Sequence, residues 1–243
     1  AGYSAQGSTA VAVGRDAGRT SQGPISIAVG RYAGSNNQGN YSIAIGNSPG
    51  SNNQGNSSVA IGDAAGGNAQ GNSSVAIGRV AGRSNQGDNA VAIGNYAGNS
   101  NQGAFAVAVG LFAGQSNQST QTTAVGHDAG RSNQASAATA VGYYAGKSYQ
   151  GKFATAVGYA AGQCNQSSHA IAVGDRAGLR NQGSYAVAVG YLAGLFNQPA
   201  NSFYTSYASV RGLSGTRYAM YINTAGEIQK NTSDDRLKHN EKD

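Results

Sequence analysis

Ser42-Ile43-Ala44-Ile45-Gly46-Asn47-Ser48-Pro49-Gly50-Ser51-Asn52-Asn53-Gln54-Gly55-Asn56-Ser57 spans sixteen residues, and the next copy opens in the same way, Ser58-Val59-Ala60-Ile61-Gly62. Followed in both directions, the unit recurs twelve times as a loose A-V-A-V-G-x-x-A-G-x-x-N-Q-G-x-x. One turn glycine stands in every copy: Gly14, Gly30, Gly46, Gly62, Gly78, Gly94, Gly110, Gly126, Gly142, Gly158, Gly174 and Gly190. A second glycine follows each at an interval of four, from Gly18 to Gly194. A glutamine is equally regular: Gln22, Gln38, Gln54, Gln70, Gln86, Gln102, Gln118, Gln134, Gln150, Gln166, Gln182 and Gln198. Self-similarity at a short fixed period marks a solenoid, whose units bury apolar surface by stacking on one another.

The apolar run of each copy alternates small with β-branched residues, as in Ala10-Val11-Ala12-Val13, which is strand chemistry. Sixteen residues are too few for a strand with a crossover helix and enough for two short strands and two tight turns. The sequence therefore predicts an all-β fold, a parallel β-roll or β-solenoid of sixteen-residue coils. At about 4.8 Å per coil, twelve coils make a rod of about 58 Å. The glutamines are expected to form a structural ladder, each amide bonding to its equivalents above and below. The regular glycines supply the positive φ that turns require.

Composition agrees with a thin rod. The 243 residues include 38 glycines, no Trp, one Cys, one Met and five Phe, too few bulky side chains for a globular core. Collagen is excluded, because it needs glycine at every third residue. No stretch reaches the roughly 20 apolar residues of a membrane span. The opening Ala1 to Gly7 matches Ala17 to Gly23 in phase, so it reads as half a repeat and the natural chain is expected to begin upstream. A coil this thin has room inside for small residues such as Ala12, Ala17, Ala28 and Ala33. Val11, Val13, Ile27, Val29 and their successors are then left as an outward stripe, larger than a soluble monomer exposes. A parallel homotrimer packed along that stripe is the expected assembly. With the faces reversed, the alanines would lie at the seam.

The runs Ser42 to Gly46, Ser58 to Gly62 and Ser74 to Gly78 resemble the S-V-A-I-G head repeats of trimeric autotransporter adhesins. That resemblance implies left-handed parallel β-rolls in a three-chain bundle. The sixteen-residue spacing and the Ala-Gly-x-x-Asn-Gln-Gly half are more similar to repeats in fibre proteins of large DNA viruses and phages. These repeats cover residues 1–201. Residues 202–231 form a C-terminal foot in which Arg217 to Ile222 and Glu227 to Lys230 read as a hairpin around Asn223 to Gly226. From 232 to 243, Thr232-Ser233-Asp234-Asp235-Arg236-Leu237-Lys238 is similar to the opening of the endosialidase-type intramolecular chaperone domain. The resemblance implies Ser233 as nucleophile and Lys238 as base in a self-cleavage, a dyad whose chemistry is sound because a low-pKa lysine activates a hydroxyl. The alternative for this tail is a charged solvated end.

Other chemistry finds no support. Asp16 and Asp128 share a phase, as do Asp63 and Asp175, but seven coils separate each pair, about 34 Å. His127, His169 and His239 have no metal-ligand spacing, the Gly-x-x-Ala-Gly turns lack the lysine of a phosphate loop, and neither metal nor cofactor is expected. Cys164 occupies a position that is Ser in several other copies and reads as a small tolerated residue. The net charge is +6, with ten Lys/Arg against five Asp in the repeats, spread along the rod without a cluster. That pattern argues against nucleic acid and fits attraction to acidic surface glycans. Tyr32, Tyr96, Phe112, Tyr143, Tyr144, Tyr159 and Tyr191 either stack on sugars or cover the coil's edge. The expected function is a structural fibre or adhesin shaft on a virion or otherwise outside the cell, attaching to a host receptor or glycan, without membrane insertion and with no enzyme activity beyond the self-cleavage. A bacterial trimeric adhesin head and an ice-binding solenoid are the alternatives, and the latter has too few threonines (Thr122, Thr123, Thr139, Thr155) for a regular array.

Overall fold

The computed structural model describes residues 1–205 and, as backbone, 220–222 and 228–230. Two compact units are distinguished, Ala1–Tyr207 and Ala208–Asp243. The first is a β-solenoid. Each coil contributes two three-residue strands, beginning with β1 (Ser4–Gln6) and β2 (Val11–Val13) and ending with β23 (Arg180–Gln182) and β24 (Val187–Val189). Among these, the odd-numbered strands form one parallel sheet and the even-numbered strands the other. Registers advance by one repeat: Val75 pairs with Val91, Ala76 with Ala92 and Ile77 with Ile93.

Alternation along the even strands decides what lies inside. Ala28, Ala44, Ala60 and their successors point into the coil and are fully buried, joined there by Ala17, Ala33 and the other turn alanines, while Ala12 in the first coil is half-buried. The branched residues on either side point out. Val13 is 56% exposed and Ile93 38%. The inward-alanine assignment is therefore the correct one of the two faces.

The glutamines behave differently from a uniform ladder. Each regular glutamine is buried, and its Nε2 donates across the coil to a carbonyl on the opposite strand: Gln22 to Val11 at 2.9 Å, Gln102 to Val91 at 2.8 Å, Gln182 to Ile171 at 2.7 Å. Amide-to-amide bonds between coils occur only from Gln118 through Gln134, Gln150 and Gln166 to Gln182. Outside that run the Oε1 atoms of Gln22, Gln38, Gln54, Gln70, Gln86, Gln102 and Gln198 have no hydrogen-bond partner. The side chain's first task is thus a strut within its own coil, and the ladder extends over part of the rod. Asparagines build a second set of rungs on the outside, such as Asn36 to Asn52 and Asn101 to Asn117.

The two glycine series answer different constraints. Gly110 sits at φ +128°, and a Cβ there would lie 2.6 Å from the carbonyl oxygen of Gly126 in the next coil. Gly114 sits at φ +50°, and a Cβ would strike the Gln118 amide at 2.3 Å. A third glycine follows the glutamine, and there the chain itself accepts Ser119, Ala135 and Ser167 in place of Gly103's equivalent. Gly110→Ala is therefore expected to cost about 3 kcal/mol through a disfavoured φ and a backbone clash. Gly103→Ala meets the next coil's backbone as closely, 2.5 Å from the Ser119 carbonyl carbon, but at an ordinary φ, so it should cost less than Gly110→Ala by the φ penalty alone, about 1–2 kcal/mol. Denaturant titration of the two variants reads the difference, and equal losses would remove φ as the cause.

Three further columns adopt the left-handed conformation without being glycine. One is the residue before each regular Gln, an Asn in most copies, such as Asn85 (φ 55°) and Asn101 (φ 55°). Asparagine tolerates that region because its short amide bonds locally. Another, three residues after each Gln, contains Ile25 (φ 55°), Tyr41, Phe105, Phe153, His169 and Tyr185. In this conformation the amide points along the rod, so Tyr41 N donates to Pro24 O at 3.0 Å and Phe105 N to Asp88 O at 3.0 Å. The coils are thereby hydrogen-bonded at their turns as well as through their sheets. A β-branched residue in this region is strained by about 1–2 kcal/mol. Because Ile25 is exposed, Ile25→Asn should raise the stability of the single chain by about 1 kcal/mol, seen as a higher denaturation midpoint.

The solenoid sheet runs past the expected limit at Asn201. Strand β25 (Phe203–Thr205) pairs in parallel with β24, and Ser202 accepts from Val187 N at 2.8 Å as Ser26 does from Val11 N in the first coil. The sequence concealed this rung because Tyr204 occupies the place of the inward alanine, opposite Ala188. In the second unit, β26 (Met220–Ile222) and β27 (Ile228–Lys230) pair antiparallel, with Tyr221 opposite Gln229, as the hairpin reading expected.

Candidate functional site

The site is a surface: the outward face of the even sheet, with one rim of turn residues on each side. Its floor is the branched stripe, two residues per coil in register from Val11 and Val13 to Val187 and Val189. Thr123, Thr139 and Thr155 replace the first of the two over three consecutive coils. A single chain leaves all of these side chains exposed or half-buried.

One rim follows the even strands. Its rings stack along the rod because equivalent positions lie one rung apart: Tyr96 on Phe112 with centroids 5.5 Å apart, His127 on Tyr143 at 4.9 Å, Tyr143 on Tyr159 at 5.4 Å and almost parallel. Cations cover several of them, with Arg79 5.3 Å from the Tyr96 ring, Arg131 5.0 Å from Phe112 and Arg176 5.5 Å from Tyr159. Such contacts are worth about 0.5–1.5 kcal/mol for a ring pair and less for an exposed cation. Asp128 is buried beneath this rim, held by the Arg131 guanidinium at 3.0 Å. The His127 Nδ1 is also 3.0 Å from Asp128 but is not aligned for a hydrogen bond, so Arg131 is the carboxylate's bonded partner. The Tyr143 phenol titrates above its ordinary value, first through its hydrogen bond with Tyr144, then through slight burial and the nearby charges.

The other rim precedes the even strands. It is the left-handed column three residues after each glutamine. Phe153, His169 and Tyr185 stack there at 5.1 and 4.6 Å, with Lys152 4.9 Å from the Phe153 ring. Sequence reading named the aromatics of the first rim and missed this one. The available signal was a ring recurring three residues after the glutamine, at Tyr41, Phe105, Phe153 and Tyr185.

The remaining candidates are placed as follows. Cys164 is a free thiol, half-buried, in β21 (Cys164–Gln166). Asp16, Asp63 and Asp175 each lie beside an arginine, at 3.5, 3.9 and 3.9 Å. Among the described residues no group of three His, Cys, Asp or Glu side chains could hold a metal ion, and no helix is long and apolar enough to cross a membrane. Ser233 and Lys238 lie outside the described residues. No protein-family profile, curated protein or solved structure matches this chain.

Proposed function

We propose that this chain is the shaft or head segment of an attachment fibre, a parallel homotrimer of β-rolls displayed on a virus or phage particle and directed at a host surface. The observation that carries this reading is the long apolar stripe on the outward face of the even sheet, which Val125, Val141 and Val157 continue through the three threonine coils. A stripe of that length exceeds the patches of a few hundred Å² that monomers usually expose. A second copy of the same sheet is the partner with matching length and period. The S-V-A-I-G resemblance and the basic excess of the repeats support the attachment role. A bacterial surface adhesin head shares this architecture and differs in what anchors it. The ice-binding alternative is weakened, because the in-register threonines of the stripe span three coils.

The test is direct. Multi-angle light scattering of the purified chain should return three times the chain mass, and fluorescent rods should bind host cells and be displaced by soluble acidic glycans. A monomer at micromolar concentration would remove the fibre reading. Trimers that ignore cell surfaces would leave a structural spacer.

The chaperone resemblance of the tail supports one reaction, self-release at Ser233 with Lys238 as base. A chain extended through the whole downstream domain should shed that domain beside Ser233, and Ser233→Ala and Lys238→Ala should each stop it while the rods still assemble. Mass spectrometry reads the break. Cleavage persisting in Ser233→Ala assigns it to an external protease.

A further inference from the structure

The branched stripe explains why copies associate and leaves open how they align. Its rungs are nearly identical, so sliding one copy by a coil would sacrifice a single rung at each end of the stripe. Uniform strands specify register weakly. A fibre with blunt, matched ends needs another feature to set the offset, and the two rims are the non-repeating features on the same face.

In any parallel assembly around an axis along the rod, one copy's rim before the strands meets the next copy's rim after the strands, because such contacts join unlike patches. At zero offset each residue of the rim before the strands then faces the residue six positions later in the chain. Phe105 faces Leu111, Phe153 faces Tyr159, Tyr185 faces Tyr191, and His169 faces Asp175. The polar positions fall together as well: Ser57 with Asp63, Asn89 with Asn95. Ile25 with Arg31, Tyr41 with Asn47 and Ala137 with Tyr143 do not match in character. A slip of one coil in one direction sets Phe153 against Asp175 and Phe105 against His127. A slip in the other direction sets Tyr185 against Asp175 and Phe105 against Asn95.

The individual chain leaves these rings largely exposed, with Phe153, His169 and Tyr185 stacked on one another. Phe105 is 59% exposed, Tyr185 58% and Tyr191 59%. On the rim before the strands they are also held in the left-handed region, where Phe105 has φ 58° and Tyr185 φ 59°, although Ser, Asn and Ala occupy the same column elsewhere. Strain combined with exposure is not what a column selected for the single coil would show.

We infer that the two rims are a register key: the rim of Phe105, Phe153, His169 and Tyr185 docks on the rim of Leu111, Tyr159, Asp175 and Tyr191 of a second copy, at zero offset, closing a ring of parallel chains. The inference rests on the oligomer proposed above. Its test separates the two. In a Cys164→Ser background, Phe153→Cys with Tyr159→Cys should oxidise to a closed covalent ring of all the chains in the assembly, because a disulfide needs Cβ atoms about 3.5–4.5 Å apart. Phe153→Cys with Tyr191→Cys, two rungs out of register, should stay unlinked. His169→Cys with Asp175→Cys repeats the test on a rung without an apolar pair, should the first variant assemble poorly. Linking of the offset pair, linking of Phe153→Cys alone, or an intact oligomer that links at neither in-register pair overturns the register key and leaves the oligomer standing. A monomeric parent chain overturns both.

Discussion

Val91→Asp combined with Ile93→Asp is expected to leave each chain folded and to abolish its association, so that the scattering mass falls to that of one chain. Both side chains point away from the coil, and Ala92 between them fills the interior, so the variant changes nothing inside. Far-UV circular dichroism should therefore match the parent. At the seam the outcome is different. Each copy brings two carboxylates into a stretch of the face built of Val and Ile, and an unpaired buried ion costs several kcal/mol. The same substitution at Ala92 is the useful contrast. A charge there would enter a fully buried position inside the coil, and folding itself should fail. If the outward variant unfolds the chain, the assignment of faces is wrong; if it stays oligomeric, the stripe is not the seam.

The sequence revealed the coil because the signal repeats. The period of sixteen, the strand chemistry of Val91-Ala92-Ile93 and the turn glycines all follow from residue type and spacing, and the parallel in-register sheets bear them out. What it concealed was the backbone conformation of residues that are not glycine. The asparagine before most of the glutamines forms rungs, but it also belongs to a left-handed column. Two further such columns, three residues after each glutamine and two after each turn glycine, carry residues such as Ile25, Tyr41 and Val80 that no propensity argument would place there. These residues are kept in that conformation by inter-coil hydrogen bonds at the turns, a tertiary cause invisible in one repeat. The glutamine strut was hidden for the same reason. Its acceptor is eleven residues earlier in the chain and becomes its neighbour only once the coil closes. The second rim escaped notice because its rings occupy a minority of coils, where they read as scattered exposed aromatics.

Deleting the sixteen residues Gly62 to Ile77 is expected to yield a folded rod shorter by about 4.8 Å, while deleting the eight residues Gly62 to Ala69 should break the solenoid at that point. After the longer deletion Ile61 is followed by Gly78, a glycine of the same series with nearly the same φ, +125° against +128°. The Ile45 carbonyl, which accepts from Gly62 N at 2.9 Å, then accepts from Gly78 N, and the coils above and below meet through equivalent strands. Each coil touches only its neighbours, so the loss stays local and the melting transition should move little. The shorter deletion joins Ile61 to Gln70. A side chain then stands where the backbone needs a φ near +128° and where a Cβ would lie 2.7 Å from the next coil's carbonyl oxygen, and the buried glutamine strut of that coil is lost. Every residue beyond the junction is displaced by half a turn, so Val75–Ile77 would fall on the place of the other sheet's strand Asn68–Gln70 one residue out of register, and Gln86 would take the place of Gly78. Small-angle scattering reads the length, and limited proteolysis reads the break. Similar behaviour of the two variants would refute one repeat per coil, since that relation alone distinguishes sixteen residues from eight.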